Sequence, residues 1–160
     1  MPERQLDDEI LAEYSAGNLS EMKAILVATH LTLCPASRKA VECFDAVGGS
    51  LLASSGGSDP TEGVKDRVLA SLEEGFGGKS SPRYDGETLE LVPAPLRRKL
   101  SSSLVDLEWK SLGRKIKYID IVPPGKNSVA RLMRLRAGSN LPTHTHEGTE
   151  MTVVLSGGFS

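Results

Sequence analysis

Two histidines, His144 and His146, stand one residue apart, and Glu150 follows four residues after the second. On an extended segment side chains repeat every two residues, so both imidazoles point to the same face. Glu150 opens the next strand pattern and can close on them after a tight turn. Two imidazoles and a carboxylate on one face make a three-pronged site for a divalent first-row metal. The chain holds three histidines in all, so two of them in one short stretch is far from an even scatter.

A second constellation is His30-Leu-Thr-Leu-Cys34-Pro-Ala-Ser37. His30 and Cys34 are four apart, share a face on a continuous helix and could hold one metal together. Two ligands alone make a weak site. The competing reading is a capped, half-buried helix end.

The elements that must position these residues change character along the chain. Asp7 or Asp8 can cap a helix that puts Ile10, Leu11 and Tyr14 on one face and stops at Gly17. Asn18-Leu-Ser-Glu21 has the spacing of a capping box and opens a second helix, with Met22, Ile25, Leu26, Thr29 and Leu33 as its apolar face. Pro35 suits the first position of a third helix, striped by Ala40, Val41, Phe44, Val47 and Leu51. Ser54 to Pro60 is a break, and Asp59 with Pro60 predicts the start of a fourth helix carrying Val64, Val68, Leu69 and Leu72. Residues 75–92 are dominated by glycine, serine and proline and read as a flexible linker. A brief helix at Pro95–Leu100 then leads into a period of two. Ile116, Tyr118 and Ile121 mark one strand, Val129–Arg136 a second with its arginines outward, and Met151–Leu155 a third bounded by Ser156-Gly-Gly. The expected fold class is α+β in two units: a small all-α bundle, a loose tether and an all-β unit.

Composition narrows the function classes. The 160 residues are 39% hydrophobic and 25% charged, without a run near the ~20 apolar residues that a membrane span needs. The N-terminus lacks the basic region and apolar core of a secretory signal. Two cysteines, Cys34 and Cys43, are too few for a disulfide scaffold and suit a reducing cytoplasm. Aromatics are only 4%, so the core must be aliphatic. The net charge of −2 conceals an asymmetry: residues 1–92 carry 8 Lys/Arg against 16 Asp/Glu, residues 93–160 carry 11 against 5. An acidic half favours a basic partner if it is not simply a solvated face.

The spacing Gly138, His144, His146, Glu150, Gly157 resembles the first motif of the cupin superfamily, with every fixed position filled. That resemblance implies a small β-barrel whose second motif supplies one more histidine from a later strand. The chain reaches Ser160 without it, so the expectation is an incomplete barrel. Its unclosed edge would invite pairing with another chain, a second copy included.

Taken end to end, the chain is similar to the zinc-binding anti-sigma factors of the ChrR type. The residues that carry this are Leu11-Ala-Glu-Tyr14-Ser-Ala-Gly17, Leu19-Ser20, Ala28-Thr-His30-Leu-Thr-Leu-Cys34, Asp45-Ala-Val-Gly-Gly-Ser-Leu51, and Ala130-Arg-Leu through Gly157. The resemblance implies a helical anti-sigma domain over 1–74, the linker over 75–92 and a partial cupin-like domain over 93–160. It implies a cytoplasmic negative regulator of transcription that sequesters an extracytoplasmic-function sigma factor and does not touch DNA itself. The cupin-like domain, with His144, His146 and Glu150 on a metal, zinc foremost, would take part in sensing. The family's helical zinc motif is His-x-x-x-Cys-x-x-Cys, and its last position is here Ser37; a further N-terminal histidine is replaced in the region of Gln5 and Leu6. His30 and Cys34 are thus two of four usual ligands. The expectation is a retained sigma-binding fold stabilised by Leu26, Leu33, Phe44 and Val47. The alternative function is a metal-dependent cupin enzyme, dioxygenase-like, holding Fe, Mn, Ni or Zn and bearing a helical appendage.

Overall fold

The computed structural model describes residues 5–73, 82–122, 129–139 and 148–158. It holds six helices and a small sheet among these residues: α1 (Asp8–Ser15), α2 (Glu21–Leu33), α3 (Pro35–Ser54), α4 (Val64–Glu73), α5 (Gly86–Leu91), α6 (Ala94–Arg97), β1 (Lys110–Leu112), β2 (Ile116–Val122) and β3 (Ala130–Leu135). The sheet is antiparallel in the order β1-β2-β3, with Lys110 opposite Tyr118 and Asp120 opposite Arg131. This is an α+β fold.

Two aliphatic clusters organise it. The first gathers Leu11, Val27 and Val41 from α1, α2 and α3, flanked by Ile10, Tyr14, Ala40 and Phe44. The second gathers Val92, Leu96, Leu100 and Leu104, flanked by Ile25, Tyr84, Trp109, Ile121, Leu132 and Leu155. Helix α2 serves both, giving Val27 to one and Ile25 to the other. Its sequence is apolar nearly all round, as a helix packed on two sides must be.

Several local expectations differ from the structure. The box Asn18–Glu21 does not form: α2 begins at Glu21 with Ser20 as its N-cap, in extended backbone geometry and without a side-chain cap bond. Helix α4 begins only at Val64, after Gly63 at φ +78°, so Asp59 and Pro60 do not start it. Leu33 and Val47, expected in the core, are 45% and 60% exposed, because the Leu11 cluster closes on Val27 and Val41 instead. Arg131 and Arg134 lie three apart and so fall on opposite faces of β3: Arg131 over Tyr118, Arg134 over Trp109. Met151–Leu155 forms no strand; Met151 packs against the first cluster and Leu155 against the second.

The largest difference concerns the tether. Of the linker expected over 75–92, residues 75–81 lie outside the described residues, and residues 82–92 are built around a capped helix. Asp85 is the N-cap of α5, its Oδ1 accepting from the Thr88 N–H at 2.7 Å. Buried Thr88 accepts from the Leu104 N–H at 2.8 Å, and the Asp85 N–H donates to Ser103 at 2.8 Å. The Tyr84 hydroxyl lies 2.9 and 3.0 Å from the carbonyls of Arg97 and Leu100 and shares its proton between them. The Arg97 guanidinium donates to the carbonyls of Leu89 and Val92. These bonds satisfy backbone groups that short helices leave open at their ends.

Candidate functional site

At the corner between α2 and α3 the chain turns on Cys34, which is C-cap of one helix and N-cap of the next, with Pro35 at the first position of α3. The Cys34 N–H donates to the His30 carbonyl at 2.9 Å, and the Arg38 guanidinium donates to the Leu31 carbonyl. Ser37 is fully buried; its Oγ lies 3.0 Å from His30 Nε2 and accepts from the Leu6 N–H at 3.4 Å. Cys34 is 2% exposed, while Cys43 is exposed and turned away from this corner's buried face. The structure therefore brings together His30, Cys34 and Ser37, three positions of the expected zinc motif.

Those residues do not fit a zinc ion. Zinc in structural sites takes four thiolate, imidazole or carboxylate ligands, and among the described residues this corner offers one thiol and one imidazole. Ligand atoms on one tetrahedral zinc stand about 3.4 Å apart. His30 and Ser37 are closer than that, at hydrogen-bond distance. No group of three or more His, Cys, Asp or Glu that could hold a metal occurs among the described residues.

His144 and His146, the first two prongs of the expected β-unit site, lie outside the described residues. Glu150 is described and exposed, next to Met151, whose side chain packs against the helical cluster around Leu11. The position of the expected third ligand is thus one residue from a contact with the helical unit. The alternation of Met151–Leu155 predicts a strand and carries no sign of this contact.

A different feature dominates the helical surface. Val47, Leu51 and Leu52 on the C-terminal half of α3 are 60%, 66% and 75% exposed. Helix α4 has no buried residue, and its Val68, Leu69 and Leu72 are 47–53% exposed. The exposed carboxylates Glu9, Glu13 and Glu42 belong to α1 and α3. Six large aliphatic side chains open to solvent on two helices consecutive in the chain, in a short acidic unit, have the composition of a protein-binding surface.

On the β side, Asp120 is clamped between Lys110 at 2.7 Å and Arg131 at 2.9 Å, with both cations also over the Tyr118 ring. Hydrogen bonds from Lys110 and then Arg131 hold the Asp120 carboxyl below its ordinary pKa, and the bond to Asp120 raises that of Lys110. Asp85 is also lowered, by its hydrogen bonds with Thr88. Each of these is explained by a partner within the fold and none faces an enclosed cavity.

No family model matches the chain. It is 36% identical over 154 residues to the anti-sigma-E factor ChrR of Cereibacter sphaeroides, an alignment covering 96% of this chain and 70% of ChrR. The fold is similar to the crystal structure of Rhodobacter sphaeroides SigE in complex with the anti-sigma ChrR, with a TM-score of 0.60 and 33% identity. That match covers 81% of this chain and 64% of the solved chain, so the chain spans a little under two thirds of the solved protein it resembles. No described helix is long and apolar enough to cross a membrane. By identity and coverage together, the chain belongs to the ChrR family of anti-sigma factors.

Proposed function

We propose that this chain is a negative regulator of transcription whose helical unit, residues 1–74, sequesters an extracytoplasmic-function sigma factor in the cytoplasm. The observation that carries this is the open apolar surface of α3 and α4, Val47, Leu51, Leu52, Val68, Leu69 and Leu72. An isolated domain gains nothing by exposing six large aliphatic residues on two consecutive helices; a partner that covers them does. Residues 1–92 carry twice as many acidic as basic side chains, which complements the basic surfaces by which sigma factors hold promoter DNA. The regulator acts by binding protein, with no reaction of its own.

The β-unit, residues 93–160, is cupin-like, and His144, His146 and Glu150 hold a divalent metal, zinc foremost. The spacing of Gly138, His144, His146, Glu150 and Gly157 supports this reading.

Co-expression of the full chain with each extracytoplasmic-function sigma factor of its own organism tests the main reading. The expected result is a 1:1 complex with one of them on size exclusion and loss of its binding to core RNA polymerase when the chain is added. Every sigma factor eluting apart from a folded chain would overturn it.

A further inference from the structure

We infer that the helical unit of this chain has replaced the family's zinc by a hydrogen-bonded pin, in which the Ser37 hydroxyl ties His30 of α2 to the backbone of Leu6. The α2–α3 corner then holds together without a metal.

A zinc ion at such a corner joins three pieces of chain: the end of α2, the start of α3 and the segment before α1. The pin joins the same three. His30 comes from α2, Ser37 from the first turns of α3, and Leu6 from the segment leading to α1. The Ser37 hydroxyl accepts from the Leu6 N–H and stands 3.0 Å from His30 Nε2, where one donor and two lone pairs let it bond either tautomer of the ring. The ring nitrogen that would face a zinc ion is then bonded to a hydroxyl. Burial makes the exchange specific to a small polar residue: Ser37 is fully enclosed, so an apolar side chain there would leave Leu6 and His30 facing a non-partner. Cys34, 2% exposed beside it, acts as a small buried apolar residue.

The consequence is chemical. A zinc–thiolate corner opens when its thiolates are oxidised or its metal is removed. A serine–histidine pin responds to neither. If the unit binds a sigma factor, as proposed above, its release does not begin at this corner.

The test uses the full chain carrying His144→Ala and His146→Ala, so that no β-unit histidine adds metal, produced in zinc-supplemented cells. The expected result is zinc well below one per chain and a helical melting transition that chelator does not move. Adding Ser37→Cys should create a site that takes up about one zinc per chain, and a further Cys34→Ser should remove it. Ser37→Ala removes both bonds of the pin and should lower the melting midpoint by at least about 4–8 °C, the shift that one lost hydrogen bond already produces in a small domain. About one zinc per parent chain, removed by Cys34→Ser alone, would overturn the inference. So would a melting midpoint that falls on chelation, or a Ser37→Ala chain that melts like its parent. Sigma binding is read separately: a zinc-free, chelator-resistant chain that captures no sigma factor leaves the pin standing and defeats the proposed function instead.

Discussion

Lys99, two residues past the end of α6, forms an ion pair of 2.5 Å with Glu21, the first residue of α2, 78 positions earlier. It marks the seam where the helical unit meets the segment leading to the sheet. Glu21 is 74% exposed, so solvent screens the pair and the seam depends on apolar packing beneath it.

Substitution should separate the two contributions. Glu21→Gln is expected to change unfolding stability by less than about 1 kcal/mol. Ile25→Ala, which removes the α2 side chain packed against Val92, Leu96, Leu100 and Leu104, is expected to cost about 1–3 kcal/mol. Urea unfolding followed by circular dichroism measures both; equal losses would show that the pair, not the packing, holds the seam.

Leu11 is fully buried at the centre of the first cluster. Leu11→Ala should destabilise by about 2–5 kcal/mol through lost transfer energy and a residual cavity. Because Met151 packs on this cluster, the same change should raise amide exchange in residues 151–155, measurable by hydrogen–deuterium exchange. Unaltered exchange there would place Met151 outside the cooperative unit.

Tyr84→Phe removes the hydroxyl that serves the Arg97 and Leu100 carbonyls and should cost about 0.5–1.5 kcal/mol. In thermal unfolding the loss should appear in the transition reported by Trp109 fluorescence, since Trp109 belongs to the same cluster. A segment that behaved as a loose tether would show no loss.

Asp120 sets an acid dependence. Its pKa is lowered in the fold, so its stabilising contribution is fully present above the ordinary carboxylate range of about 3.9. It is lost as pH falls through the folded value. The stability gap between the parent and Asp120→Asn should therefore be constant near neutral pH and close below about pH 4. A gap that widened in acid would contradict the clamp by Lys110 and Arg131.

The α+β class and the helical corner at His30 and Cys34 were legible in the sequence, because apolar spacing, Pro35 and the change of period are local signals. The same holds for β2 and β3, whose alternation needs no distant partner to be read. What escaped was tertiary. Helix α2 carries too many apolar residues for one face, so no stripe could show that Val27 and Ile25 serve different clusters. The glycine and serine before residue 82 masked the spacing Asp85-x-x-Thr88, an N-cap signal in plain sight. Met151–Leu155 has a strand's alternation but meets two helical clusters, and packing decided its form. Of the candidate metal ligands, His30 and Cys34 are seen at their corner and Glu150 near its contact, while His144 and His146 fall outside the described residues.

The most direct measurement is the affinity of the full chain for the extracytoplasmic-function sigma factors of its own organism, compared with a Leu51→Glu/Leu69→Glu variant. Both positions are exposed, at 66% and 47%, so stability should change by no more than about 0.5 kcal/mol for each and the circular dichroism spectrum should be unaltered. The expected result is a 1:1 complex for the parent and binding weaker by at least about tenfold for the folded variant. A variant that binds as tightly as the parent would contradict the claim that the open face of α3 and α4 is the clamp.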